Sequence, residues 1–200
     1  MPSKIASNIA SKIEATIAAP MLRLARRFAD DRRGVSAVEF ALLLPLMLTI
    51  YFGAVEVSQG VTIDRKVTLT TRTVADLVTQ VASLSTTDMT NVLEASTAVM
   101  SPFPTGKLKI VLSCVRTNSS GVSKVGWSVT KNGTARGTNT TVTLPTALSV
   151  NESTLIWAEV QYAYTPTIGY VVTGTLTLND QMYMRPRISD TVGYGSSTCT

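Results

Sequence analysis

Polar and apolar residues alternate with a different rhythm in successive parts of the chain, and each rhythm predicts a different kind of element. From Val35 to Val57 the sequence is apolar apart from Ser36, Glu39, Thr49 and Glu56, and Phe40–Val55 is sixteen residues without a charge. The 21 residues from Val35 to Val55 make a helix of roughly 30 Å, the thickness of a bilayer's hydrocarbon core. Pro45 lacks an N–H and is expected to kink this helix rather than end it. A buried core helix is rarely so uniformly apolar. A cleaved secretory signal has a shorter apolar region, about 7–15 residues, and a small-residue cleavage site. "GAVEVSQGVTIDRKV" lacks such a site, so the segment reads as a retained membrane helix.

Helical spacing continues beyond it. Val67, Val74, Leu77, Val78, Val81 and Leu84 recur at three, four and seven residues, with Arg72, Asp76 and Gln80 between them. Such a stripe packs on the chain's own globular part or on other subunits. "STTDMTNVLEASTAVM" predicts a second, short helix capped by Thr87 or Asp88 and closed by Pro102 and Pro104. From Lys107 the period falls to two. "KLKIVLSCVRT" and "STLIWAEVQYAYTP" alternate as strands, the latter with Ile156, Ala158, Val160 and Tyr162 opposing Trp157, Glu159, Gln161 and Ala163. Asn132-Gly133 between Thr/Val-rich arms predicts a hairpin, and "VVTGTLTLNDQMYMRPR" supplies a last strand ending at Pro186. The expected fold is α+β: a long N-terminal transmembrane and amphipathic helix, a short second helix, then a four- to five-stranded antiparallel sheet. One sheet face should lie on the helix and the other should be wet. The predicted divisions are a basic leader over 1–34, a membrane helix over 35–57, an amphipathic helical region over 58–105 and a β-rich domain over 106–200.

Charge changes the picture mainly in the leader. The net charge of +5 divides into +4 over residues 1–34 and +1 over the remainder. The later region therefore carries no basic stripe of the kind nucleic acid requires. Seven Lys/Arg precede the apolar segment, and Arg65 and Lys66 are the first cations after it. The positive-inside rule then places the N-terminus in the cytoplasm and the larger C-terminal part across the membrane. Within the leader, Ile5, Ile9, Ile13 and Ile17 recur every fourth residue beside Lys4 and Lys12. That spacing fits a helix lying on the membrane face, a sorting element, or a stretch upstream of a true start at Met21.

A carboxylate within an apolar span costs on the order of 2.5–3.5 kcal/mol. Glu39 is therefore either an idle interfacial group or the partner of a cation. The string "RRGVSAVEFALLLPLMLTIYFGAVEVSQG" supplies that cation in a specific way. It resembles a type IV prepilin processing site, and in particular the TadE-like pseudopilins of the tight-adherence (Tad, Flp-type) pilus system. Arg32 and Arg33 flank Gly34, the residue after which a prepilin peptidase would cut. Val35 would become the mature N-terminus, Glu39 the pilin-type glutamate, and Phe40 the aromatic beside it. Gly53 and Glu56 match the Gly-x-x-Glu near the end of the family's apolar run. Glu39 would lie one helical turn from the new amine of Val35, or would meet the amine of a neighbouring subunit. The resemblance implies a non-enzymatic minor pilin of the bacterial inner membrane with a periplasmic domain, used to assemble a pilus for surface adhesion. Its partners would be the peptidase, other pilins and pseudopilins, and the Tad assembly machinery. The competing expectation is an uncleaved single-pass protein with a periplasmic partner-binding domain.

Little else in the sequence points to chemistry. There is no histidine, which removes Ser-His-Asp and Cys-His catalysis and the commonest metal ligand. Glu152, Glu159, Asp180 and Asp190 are the only carboxylates after Lys107, and nothing in the sequence pairs two of them. No cofactor, metal, nucleic acid or small-molecule substrate is expected. Cys114 and Cys199 fall in the part predicted to be outside, where an oxidising periplasm favours a disulfide over two buried thiols. Closing that loop would contribute roughly 4 kcal/mol by chain entropy.

Overall fold

The computed structural model describes residues 33–166 and 174–199. The leader's isoleucine pattern, Met21, Arg32 and the Val171–Thr173 start of the predicted last strand lie outside them. The chain divides into two compact units, one through Tyr51 and one from Phe52 onward.

Helix α1 spans Arg33–Thr79 and runs through Pro45 without ending. In the first unit every large apolar side chain from Val35 to Tyr51 is exposed, at 38–74%. Thr49 Oγ1 donates to Pro45 O at 2.8 Å, a local bond that keeps the hydroxyl from facing an apolar surrounding unpaired. This is a helix long and apolar enough to cross a membrane.

The second unit begins on the same helix, where a buried stripe replaces the all-round exposure. Gly53, Glu56, Ile63, Val67, Thr70, Thr71, Val74 and Val78 are buried at helical spacing. Val67, Val74 and Val78 belong to the predicted stripe, while Leu77 and Val81 are only half-buried. Thr70 and Thr71 fit the apolar interface because their hydroxyls donate back to Lys66 O and Val67 O. The short strand β1 (Ser83–Leu84) leads into α2 (Thr86–Ala98). Its cap is Ser85, not Thr87 or Asp88: Ser85 Oγ accepts from Asp88 N at 3.1 Å, and Asp88 Oδ2 accepts from Ser85 N at 3.2 Å. Asp88 is thus the third residue of a reciprocal capping box. The Ser85 hydroxyl, which also donates to Asp88 Oδ2 at 2.6 Å, and then the Ser85 N–H hold that carboxyl below the usual range. Lys66 Nζ donates to Val99 O at 3.0 Å, placing a cation at the carbonyl end of α2.

A five-stranded antiparallel sheet follows, in spatial order β4-β3-β2-β5-β6. Its strands are β2 (Leu108–Thr117), β3 (Ser123–Lys131), β4 (Thr141–Val142), β5 (Ser153–Tyr164) and β6 (Leu176–Met184). Ile110, Leu112, Cys114, Ile156, Ala158, Val160 and Tyr162 join the helix stripe in one core. The opposite face is wet at Lys109, Gln161, Asn179 and Gln181. Elsewhere it departs from expectation, because Val115, Val125, Leu144 and Leu155 form a second small core there. Asn132 does turn the chain, at φ 54°. The return is not a tight hairpin, since pairing with β3 resumes only at Thr141. The tight hairpin is β2–β3, where Asn118 N bonds Val122 O and Gly121 takes φ 77°.

The segment after β6 returns to the core side. Arg187 N donates to Thr79 O at 2.9 Å, and Arg187 Nη2 lies 2.6 Å from Asp76 Oδ1. Strand β7 (Gly193–Tyr194) pairs in parallel with β1, and Trp127 Nε1 donates to Val192 O at 2.8 Å. Cys199 is bonded to Cys114, with Cα atoms 6.0 Å apart. A bulge in β3 makes room for it: Trp127 and Val125 pair with consecutive residues of β2, leaving Gly126 as the extra residue. A Cβ on Gly126 would lie 2.8 Å from Cys199 Cα, so only glycine fits there.

Candidate functional site

The residues singled out in the sequence fall in two places on α1. Gly34, Val35, Glu39 and Phe40 occupy its first two turns, all exposed. Among the described residues nothing approaches within 4 Å of the position a Cβ on Gly34 would take. Val35 and Glu39 are four residues apart, so their side chains lie on one face, roughly 6 Å apart at Cβ. Among the described residues Glu39 has no ion-pair partner. Arg33 heads the helix.

Gly53 and Glu56 have the opposite character. Gly53 is buried, and Glu56 is 3% exposed although it carries a carboxylate. Across the core Glu56 meets Tyr164, at the end of β5 and 6% exposed. Its hydroxyl lies 3.3 Å from Glu56 O and 3.5 Å from Gln59 Oε1, donating toward the helix backbone. Burial, and then the Glu56 charge, push the Tyr164 hydroxyl above its ordinary pKa. Beside this pair, Val57, Gly60, Val61, Leu176 and Leu178 line a mostly apolar cleft of about 270 Å³. The arrangement anchors the helix to the sheet through a buried polar contact; it presents no nucleophile–base pair. Among the described residues there is also no cluster of three or more candidate metal ligands.

Sequence reading did not find Tyr164. It lies 108 residues from Glu56, and no local pattern links them. The one available signal was phase, because Glu56 falls seven residues before Ile63 and eleven before Val67, on the side of the helix that becomes buried.

The Tyr164 contact predicts an alkaline limit. A raised folded-state pKa means the contribution is fully present below the unfolded value, about 10, and is lost as pH rises through the higher folded value. Tyr162 and Tyr183 are raised by burial in the same direction. Unfolding midpoints followed from pH 8 to 11 should fall above about pH 10. Tyr164→Phe should soften that fall while costing about 1 kcal/mol at neutral pH from the lost hydrogen bond. An unchanged slope in the variant would remove Tyr164 as a source.

Comparison with known proteins adds one finding to this geometry. The family described as TadE-like protein matches residues 34–76. The match starts at Gly34 and ends at Asp76, the residue Arg187 holds. No curated protein and no solved structure matches the chain.

Proposed function

We propose, from a TadE-like segment that begins at Gly34, that this chain is a pseudopilin of the Tad (Flp-type) pilus system. A prepilin peptidase cuts after Gly34, and the new amine of Val35 meets Glu39 of the same or a neighbouring chain. Within residues 35–57, the exposed apolar stretch through Tyr51 holds the protein in the inner membrane. The helical region 58–105 and the sheet domain 106–200 stand in the periplasm. The chain is a substrate and a building block; its partners are other pilins and the Tad assembly machinery, and it performs no catalysis.

The observation that supports this most is the coincidence of the family match with the processing motif, on a helix start that is exposed among the described residues. Gly34 and Val35 are exposed, and among the described residues Gly34 has no neighbour to clear, as a peptidase substrate requires. The test is the intact mass of the membrane-extracted protein from cells with and without the prepilin peptidase. A peptidase-dependent N-terminus at Val35 is expected. A mass that retains Arg32 to Gly34 in both cells would leave an uncleaved anchored protein and end the pseudopilin reading.

A further inference from the structure

Strand β5 runs away from the Glu56–Tyr164 contact, and its other end carries a second feature. There Arg116 and Thr154 are direct cross-strand neighbours and face the same side of the sheet. With Glu152, Arg185, Ser189 and Asp190 they line a polar cleft of about 320 Å³. Thr154 is 5% exposed, yet its Oγ1 has no hydrogen-bond partner among the described residues. A buried hydroxyl left unpaired is costly and uncommon.

Most of the cleft's other polar groups are occupied. Arg116 Nη2 lies 3.0 Å from Glu152 Oε2, and Ser189 Oγ donates to Thr191 O at 2.5 Å. Arg185 and Asp190 remain. Neither has an ion-pair partner among the described residues, and they do not pair with each other. Among the described residues the cleft therefore offers one unpaired cation and one unpaired anion, with one unpaired hydroxyl buried in its wall. A simple anion entering it meets the charges of Asp190 and Glu152, and a simple cation meets those of Arg185 and Arg116. A molecule carrying both charges avoids either conflict.

We propose that this cleft binds a small zwitterion, an α-amino acid or a compound with the same ammonium and carboxylate. The carboxylate pairs with Arg185 and accepts from the Thr154 hydroxyl, and the ammonium donates to Asp190. The volume is at the small end for ligand sites, which suits a molecule of that size. This is a bound ligand and not a substrate, and it is independent of whether the leader is cut.

The test uses the full chain in lipid nanodiscs with isotope-labelled threonine methyl groups, the Thr154 signal being assigned by its loss in Thr154→Val. Glycine should shift that signal saturably, with a Kd on the order of millimolar. Arg185→Gln and Asp190→Asn, both at exposed positions, should each weaken binding about tenfold. Acetate and methylammonium, each carrying one charge only, should not reproduce the shift at the same concentrations. The proposal is overturned by the absence of a saturable shift with glycine, by acetate binding as tightly as glycine, or by either variant binding glycine as tightly as the parent chain.

Discussion

Replacing Glu39 with alanine is expected to leave the cut after Gly34 intact and to abolish pilus assembly. In the proposed processing the peptidase would read the junction at Gly34 and Val35, which the substitution does not touch. The proposed assembly would instead place a freed Val35 amine in or near hydrocarbon, where an unpaired ammonium is expensive. Glu39, one turn away on the same exposed face, is the carboxylate that would neutralise it, within a chain or between chains, in the proposed assembly. Removing one member of a desolvated ion pair costs about 3–5 kcal/mol, which corresponds to a hundredfold or greater loss per subunit contact. Glu39→Ala itself should enter the membrane more easily, since an isolated carboxylate there opposes insertion by about 2.5–3.5 kcal/mol. Normal cleaved protein on a blot together with absent filaments by electron microscopy is the expected pair of results. Filaments in normal number would strip the carboxylate of its proposed role, and loss of cleavage would move that role to peptidase recognition.

The second large effect concerns the disulfide. Changing both Cys114 and Cys199 to serine should destabilise the sheet domain by roughly 4 kcal/mol, because the bond closes a loop spanning 85 positions. The tail would then depend on the Trp127–Val192 bond, the Arg187–Asp76 pair and the two-residue β1–β7 ladder. Each contributes about 1 kcal/mol or less, too little to hold a thirteen-residue segment against its chain entropy. Both tryptophans of the chain, Trp127 and Trp157, lie in this domain, so urea titration followed by tryptophan fluorescence reports on it directly. Enhanced trypsin cleavage after Arg187 should accompany the loss. A change below about 1 kcal/mol would mean that packing, and not the covalent bond, holds the tail.

How much of this was legible in the sequence depended on whether the cause was local. The membrane-length helix, the start of its packed stripe and the alternation of β5 were visible because each depends on residues within a few turns or a few strand positions. Val67, Val74 and Val78 could be read as buried from their spacing. Thr70 and Thr71 could not, because their burial relies on hydroxyls bonding backward to the helix. Ser85, Thr87 and Asp88 all carry a side-chain oxygen near the start of α2, so the spacing alone does not single out Ser85 as the cap. Asn132-Gly133 drew attention as a hairpin, and Asn132 does adopt the left-handed conformation. Even so, residues 133–140 do not pair as a strand, and the tight turn formed at Asn118–Val122 instead. The motif at Gly34 to Phe40 could be read because its residues are contiguous. The Glu56–Tyr164 contact and the Arg116–Thr154 cleft join distant residues, so only the folded chain brings them to notice.

The position of Cys199 also sets an order of events. A chain made from its N-terminus exposes α1, both faces of the sheet and Trp127 before the residue that locks them has been synthesised. The helix stripe and the first strands can therefore begin to meet without covalent help, and the bond to the tail fastens them once Cys199 is in place. Gly126 leaves open the spot where Cys199 comes to rest. The bond thus acts as a late seal on a nearly finished domain, and oxidation before that point would find Cys114 with no second cysteine in its own chain.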